Sequence, residues 1–430
     1  METPSAEQPP AVKQKAVRIP FTGYQKLVIF ILAVTQFTVI LDFMVMSPMG
    51  DILMKSMSLQ PSHFAFAVSI YALSAGISGL LTAGFADRYD RKKLLLFFYS
   101  GFIAGTILCG IATSYPLLVG ARLITGLFGG VIGSISMAII TDLFSLDHRG
   151  RVMGFVQMGF GASQVLGVPI GLFLANAWGW HAPFLLIAGL ALIIVLLIAY
   201  KLQPLTKHLA LQQDKSVLAH LWHTLSKKNY RIGFTASALL SVGGFMMMPF
   251  GSAFAINNLH VTQAQLPYIF MVAGVSSLVF MPLVGRLSDR IDKFKIFLAG
   301  SVWMMIVVTI YTNLSVCPLW GVILFNIVLM AGIMSRMIPS SALTSAVPDM
   351  ADRGAYMSIN ASFQQISGGV AAIIAGMIVV QKDKYSPLEH YNILGFVIIG
   401  ISIVAAFLIY RVSEMVKRKK EEAGKIALTS

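Results

Sequence analysis

The chain has 430 residues, 57% of them hydrophobic and only 12% charged, with a mean hydropathy of +0.78. A soluble domain has too little interior to hide that much apolar surface, so lipid must act as the solvent. A net charge of +14 would suggest nucleic acid in a soluble protein, but here the cations sit between apolar runs, which leaves a nucleic-acid role without support.

Residues 1–23 are polar, with Lys13, Lys15 and Arg18 and no apolar core. They read as a cytoplasmic tail and not as a cleavable signal peptide. Twelve apolar segments follow, at roughly 25–49, 64–84, 93–112, 116–141, 152–175, 182–202, 231–256, 264–286, 294–313, 316–346, 355–380 and 391–411. Each is near the ~20 residues that a spanning helix needs. The fold class is therefore all-α and membrane-embedded, with a six-helix domain at 24–202 and a second at 231–411. Between them, 203–230 is the only long polar connection. Within it Val217, Leu218, Leu221, Trp222 and Leu225 recur at helical spacing before Lys227 and Lys228, which suits a helix on the inner membrane surface. A plain tether is the simpler alternative. Residues 412–430 form a basic cytoplasmic tail whose Lys417-Arg418-Lys419-Lys420 suits anionic lipid.

With both termini inside, Lys55, Lys382 and Lys384 fall outside and Arg122 and Arg336 within helices. The remaining 27 of the 32 Lys and Arg lie in cytoplasmic tails and loops. That asymmetry sets the orientation, and the expected location is a bacterial-type inner membrane. Cys109 and Cys317 stand near outer helix ends, one in each half. They are inert residues or one bridge, and two cysteines do not make a framework.

The two halves repeat. Asp87-Arg88-Tyr89-Asp90-Arg91-Lys92 returns as Asp289-Arg290-Ile291-Asp292-Lys293, an offset of 202. Arg149-Gly150-Arg151 returns as Arg353-Gly354-Ala355 at 204, and Pro48-Met49-Gly50 as Pro249-Phe250-Gly251 at 201. Six helices per half preserve orientation, so both charged hairpins face the same side. Parallel repeats of this kind form a transporter architecture, with the substrate site at the repeat interface.

Ala83-Gly84-Phe85-Ala86-Asp87-Arg88-Tyr89-Asp90-Arg91-Lys92 resembles the loop motif between helices 2 and 3 of the major facilitator superfamily, with Ala83 and Asp90 in place of two glycines. Gly285-Arg286-Leu287-Ser288-Asp289-Arg290 is similar to it in the second half. Leu118 to Gly130, with Arg122 and Gly126, resembles the helix 4 motif. Gly159, Gly167, Pro169 and Gly171 resemble the helix 5 motif of antiporters, with the usual Gly-Pro pair split by Val168. Trp178-Gly179-Trp180 resembles the helix 5–6 turn, with His181 where Arg is common. Within the superfamily the chain looks like the twelve-helix drug–proton antiporters and the arabinose-efflux-like branch. The resemblance implies alternating access between two six-helix bundles, with helices 1 and 4 together at the cavity.

Asp42 is the only carboxylate placed well inside a helix, ~22 Å from the inner end of helix 1 at 1.5 Å per residue. An intramembrane carboxylate is costly and is by default a functional-site candidate. Arg122 enters helix 4 from outside and lies at similar depth, ~9 Å below the outer end. With the helix 1–helix 4 neighbourhood that the resemblance implies, an Asp42–Arg122 pair is expected, direct or through water or substrate. Protonation of Asp42 would release Arg122. At offset 204 from Arg122 stands Asn326, polar but uncharged. Arg336, deep in helix 10, would bind an anionic substrate, close the inner gate, or snorkel to the interface.

Asp87, Arg88, Arg91, Asp289 and Arg290 read as a cytoplasmic gate. Orientation alone would need only the cations, whereas a carboxylate at a helix end can accept from neighbouring amides and pair with Arg. Phe43, Met46 and Met247 are candidates for an adaptable apolar cavity wall next to the prolines, with lipid-facing methionines the alternative. Gln157, Gln164, Asn360 and Gln364 are mid-helix amides expected in the cavity or between helices, because lipid exposure would be costly.

No phosphate loop, metal-ligand cluster or nucleophile–base set is present in the sequence, so no cofactor, metal or enzymatic activity is expected. The reading is a monomeric secondary transporter whose partners are a small-molecule substrate, protons and membrane lipid. Proton-coupled efflux of a small organic compound is preferred. Uptake or facilitated passage of a sugar, nucleoside or siderophore is the alternative, and a non-transporting receptor or scaffold the minor one.

Overall fold

The computed structural model describes residues 21–82, 88–206, 209, 217–349 and 352–429. The N-terminal tail, apart from its last residues, and Asp87 with the four residues before it lie outside the described residues. Among the described residues, twelve helices are long and apolar enough to cross a membrane. They are α1 (Gly23–Met46), α2 (Pro61–Thr82), α3 (Arg91–Gly110), α4 (Tyr115–Leu143), α5 (His148–Trp178), α6 (His181–Lys201), α7 (Lys228–Asn257), α8 (Gln263–Arg290), α9 (Lys293–Thr312), α10 (Leu319–Ser345), α11 (Arg353–Ile378) and α12 (Tyr391–Lys419). All-helical spanning is what the bilayer demands, because each backbone amide and carbonyl is satisfied within its own segment.

Several ends differ from the apolar runs, for identifiable reasons. The run 25–49 stops being helix at Met46, where Ser47 to Met49 form a turn around Pro48, and a short helix, Gly50–Met57, follows. Pro169 has no amide hydrogen to give the preceding turn, and α5 widens there into a single π-turn over Ser163–Gly167. Gly179 ends α5 at φ +88°, which favours glycine. Residues 412–429, read as a tail, continue the last helix without a break, which runs Tyr391–Thr429. The connection between the halves contains the helix Val217–Ser226. Its Leu221 and Leu225 pack on Tyr230, Phe234 and Tyr356 of the C half, while Trp222 faces outward. The linker helix is thus docked on the C half.

The start of α1, the end of the last helix, Arg88 to Lys92 and Asp289 to Lys293 lie on one face, here the termini face; the loops α1–α2, α7–α8 and α11–α12 lie on the far face. Between the halves, α2 packs along α11 for most of its length. Ser62 and Ala65 meet Gly376, Ser69 and Leu73 meet Gly369, and Gly76 meets Ile366. Helix α8 packs along the π-turn and the far-side part of α5 but barely touches the part before Ser163. At the far face Ser47 donates to Met248 O, and Ser252 Oγ donates to Ser47 O at 3.1 Å. The halves are therefore fastened on the far side and splayed between α5 and α8 on the termini side.

Candidate functional site

The glycines of α5 set the rotation of α1. Gly159 lies against Ala33 O and Phe37, Gly167 against Leu41, and Gly171 against Val45. Ser163 Oγ adds a hydrogen bond to Phe37 O at 3.0 Å. Four α1 residues at four-residue spacing thus seat in one groove, where small residues permit close backbone approach. Asp42 lies about 100° around the helix from Leu41 and points into the bundle, towards α3 and α4.

There Arg122 Nη1 donates to Asp42 Oδ2 at 2.7 Å and to Asp42 O at 3.3 Å. Thr106 Oγ1, on α3, lies 3.4 Å from Asp42 Oδ1. Asp42, Thr106 and Arg122 have no exposed surface. The guanidinium also covers the Tyr71 ring, 4.5 Å from its centroid, an attractive arrangement once water is gone. Tyr71 reaches that place because Gly126 and Gly129 leave room; a Cβ on Gly126 would stand 2.4 Å from Tyr71 O. Nε and Nη2 of Arg122 have no hydrogen-bond partner. A buried ion pair survives only with good geometry, and losing one partner leaves an uncompensated charge. The site is thus a sealed charge pair with spare donors.

Phe43, one residue on, lies between Tyr71 at 5.2 Å and Phe245 of the C half at 5.8 Å, centroid to centroid. This aromatic bridge crosses between the halves next to the charge pair. Met46 has no exposed surface and belongs to the packed far side; Met247 is half-buried. Gln164 accepts from Ser277 Oγ of α8 at 2.8 Å, so it fastens the halves together. Gln157 is exposed, Gln364 half-buried, and Asn360 is buried with Oδ1 unpartnered. Asn326 donates Nδ2 to Val322 O, one turn back on its own helix, at 2.9 Å. Arg336 does not join the pair. Its guanidinium lies 5.9 Å from the Phe297 ring centroid on α9, with Nε buried and unpartnered.

On the termini face, Arg91 Nε donates to Asp142 Oδ2 at 3.2 Å within the N half. Arg88, Asp289 and Arg290 are exposed. Asp90, where a glycine is usual, caps α3 by accepting from Lys92 N, and holds Leu205 N as well, both at 2.9 Å. Asp292 caps α9 in the same way and pairs with Lys417 at 3.4 Å. The repeated aspartates thus act as helix caps, stabilised by amides at the helix N-terminus. Arg149 caps the other end of α4 through Thr141 O at 2.7 Å and Phe144 O at 3.0 Å. Cys109 and Cys317 are unbridged. His181 Nε2 bonds Ala112 O at 3.0 Å.

Sequence reasoning missed Tyr71, Phe245 and a polar cluster around Asp51 on the far face. A lone tyrosine or phenylalanine in an apolar helix gives no one-dimensional signal. Asp51 sits where a helix was expected to end, beside a cation that fixes no partner.

A twelve-helix bundle built of two like halves, one of them holding a buried charge pair, defines a membrane transporter of the facilitator type. The family model of the Major Facilitator Superfamily matches residues 32–372 and 233–429, and the chain belongs to that superfamily, whose members are transporters and not enzymes. It is 25% identical to the uncharacterized MFS-type transporter YceJ of Bacillus subtilis (strain 168), over 88% of this chain and 94% of that one. It is 24% identical to a probable sugar efflux transporter of Mannheimia succiniciproducens, over 86% and 90% respectively. Among solved structures, the D-xylose-proton symporter matches with a TM-score of 0.74 at 18% identity, covering 90% of this chain and 98% of that one. That likeness concerns the fold alone.

Proposed function

We propose that the protein exports a small organic compound in exchange for protons, with Asp42 as the proton carrier and Arg122 as its partner. The observation that carries this reading is the 2.7 Å Asp42–Arg122 contact, in which neither side chain has exposed surface. When a proton arrives on Asp42 the pair loses its attraction, and Arg122 is left with spare donors over the Tyr71 ring. Either substrate or a shift of α4 against α1 can then satisfy it. The Phe43–Phe245 bridge transmits such a shift to the other half. Relatives named as a probable sugar efflux transporter and as multidrug resistance proteins support export.

With the termini on the cytoplasmic side of the inner membrane, the splayed side faces the cytoplasm. The hairpin residues Asp87, Arg88, Arg91, Asp289 and Arg290 would close it, and the glycine groove of α5 would guide α1. The protein would work as a monomer. A second reading, facilitated passage of a polar metabolite, is favoured by the exposed Gln157 and by Asn360, whose buried Oδ1 lacks a partner.

Everted membrane vesicles with an imposed pH gradient and a pH-sensitive dye separate the two. Ethidium, a quinolone, D-xylose and L-arabinose are added in turn. Antiport requires one compound to dissipate the gradient in wild type and not in Asp42→Asn. Equilibrative flux of a sugar with no proton movement establishes the second reading.

A further inference from the structure

Asp51 is a buried carboxylate that the proton-coupling site does not use. It opens the short helix Gly50–Met57 at the far face and is 1% exposed. Its Oδ1 accepts from Asn257 Nδ2 at 2.7 Å, and its Oδ2 from Gln263 Nε2 at 3.1 Å. Asn257 ends α7 and Gln263 begins α8, so two amides of the C half hold one carboxylate of the N half. Lys55 completes the cluster, donating to Asp51 Oδ2 at 2.8 Å and to Asn257 Oδ1 at 3.2 Å. The Lys55 ammonium lies 5.2 Å from the Tyr385 ring centroid. Tyr385 belongs to a hairpin closed by the Val380–Glu389 bridge. Asn258 pins that hairpin to the end of α7 through Leu388 N at 2.9 Å and Leu388 O at 3.0 Å.

The ways this cluster can come apart are unequal. Lys55 and Asp51 are an i,i+4 pair on one helix and travel together with the N half. Asn257 and Gln263 leave with the C half. Separation therefore costs Asp51 two amide donors but never its cation, and water can take the vacated lone pairs. A buried carboxylate with no cation would be too costly to bury, so the closed contact would not hold; a bridge of neutral amides alone would be weaker. A cation held on one side with amides contributed from the other gives a joint that is firm when dry and reversible when wet.

We propose that Asp51 is a positioning residue of the transport cycle: the clasp that fastens the halves on the far side, releasing Asn257 and Gln263 before the site opens there. This rests on alternating access and not on the proton-carrying role of Asp42.

The test uses the full chain in lipid nanodiscs, with Cys109 and Cys317 replaced by alanine. Double electron–electron resonance reads one spin-label pair on the far face, Gln60→Cys with Ser315→Cys. A second pair reads the termini face, Arg151→Cys with Arg286→Cys. Asp51→Asn is expected to shift the far-face population about tenfold towards the longer distance. Because Lys55 reaches both positions, Asp51→Asn combined with Asn257→Asp places the ion pair across the halves and should return the far-face population to the shorter distance, to the wild-type extent or beyond, which a folding defect would not do. An unmoved distribution in Asp51→Asn, or a swap that stays open, overturns the clasp. If both label pairs hold one distance in every variant and at every pH, alternating access itself fails.

Discussion

In the N half, the middle of the bundle holds Arg122 against Asp42, with Tyr71 beneath and Thr106 beside. At matching places in the C half, Asn326 spends its amide on its own helix and Gly243 stands where Asp42 would fall. The N-half spans bury 39–61% of their most apolar stretch and the C-half spans 28–44%. The duplication has thus kept the helices while the buried charge pair and the tighter packing stay on one side. If the N half carries the proposed switch, Phe43 against Phe245 is the contact through which the other half would feel its state. The same division holds at the termini face. Arg149 caps α4 with short bonds, whereas Arg353 reaches Ser345 O at only 3.5 Å. The C half relies instead on Lys227, Asp352, Asp349 and Lys419.

The largest break with symmetry concerns the charge pair. Arg122→Ala leaves Asp42 buried without its cation and should destabilise the detergent-solubilised protein by about 3–5 kcal/mol. Asn326→Ala should cost about 0.5–1.5 kcal/mol, one modest hydrogen bond. Equal losses in thermal unfolding would remove the distinction between halves. Removing both charges, Asp42→Ala with Arg122→Ala, should unfold at a higher temperature than Arg122→Ala alone, since no orphan charge remains.

A smaller effect is expected where glycine makes the room. Gly126→Val drives a side chain into Tyr71 O and Ser74, and overpacking of this kind costs about 1–3 kcal/mol. Gly244→Ala, in the C half, meets nothing within 4 Å and should stabilise by about 0.5–1 kcal/mol. Melting temperatures that move the same way in both variants would contradict the tighter packing of the N half.

The smallest effect belongs to Asp349. The hydrogen bond from Lys419 holds its carboxyl below the usual carboxylate range, against partial desolvation. Its stabilising contribution is therefore complete above the unfolded value, about 4, and is lost only as pH falls through the lower folded value. The side chain is 62% exposed, so Asp349→Asn should cost below about 1 kcal/mol. The difference in melting temperature between this variant and wild type should stay constant from pH 5 to 8. A difference that vanished at pH 6 would show another group titrating there.

Much of the fold was legible because lipid enforces it. Helix number, the two halves and the repeat all follow from apolar length and from cations placed between runs. The pair Asp42–Arg122 was legible through its cost, since a charge inside a membrane has to be matched. Helix ends were less so. Pro48 and Pro169 act through a missing amide hydrogen, and whether that yields a turn or a π-turn depends on neighbours. Arg336 had the same sequence signature as Arg122 and goes to Phe297, because rotation about the helix axis, not depth, decides a partner. Asp51 and Gln263 are 212 residues apart and meet only because the far side is closed.

Coupling of proton movement to transport through Asp42 is tested most directly in proteoliposomes of the purified protein. Internal pH is followed by a trapped dye, and compounds of the drug and sugar classes are added. The expected result is a compound-dependent proton flux in wild type that falls more than about tenfold in Asp42→Asn, while exchange of labelled for unlabelled compound persists. A proton flux of wild-type size in Asp42→Asn would contradict the account.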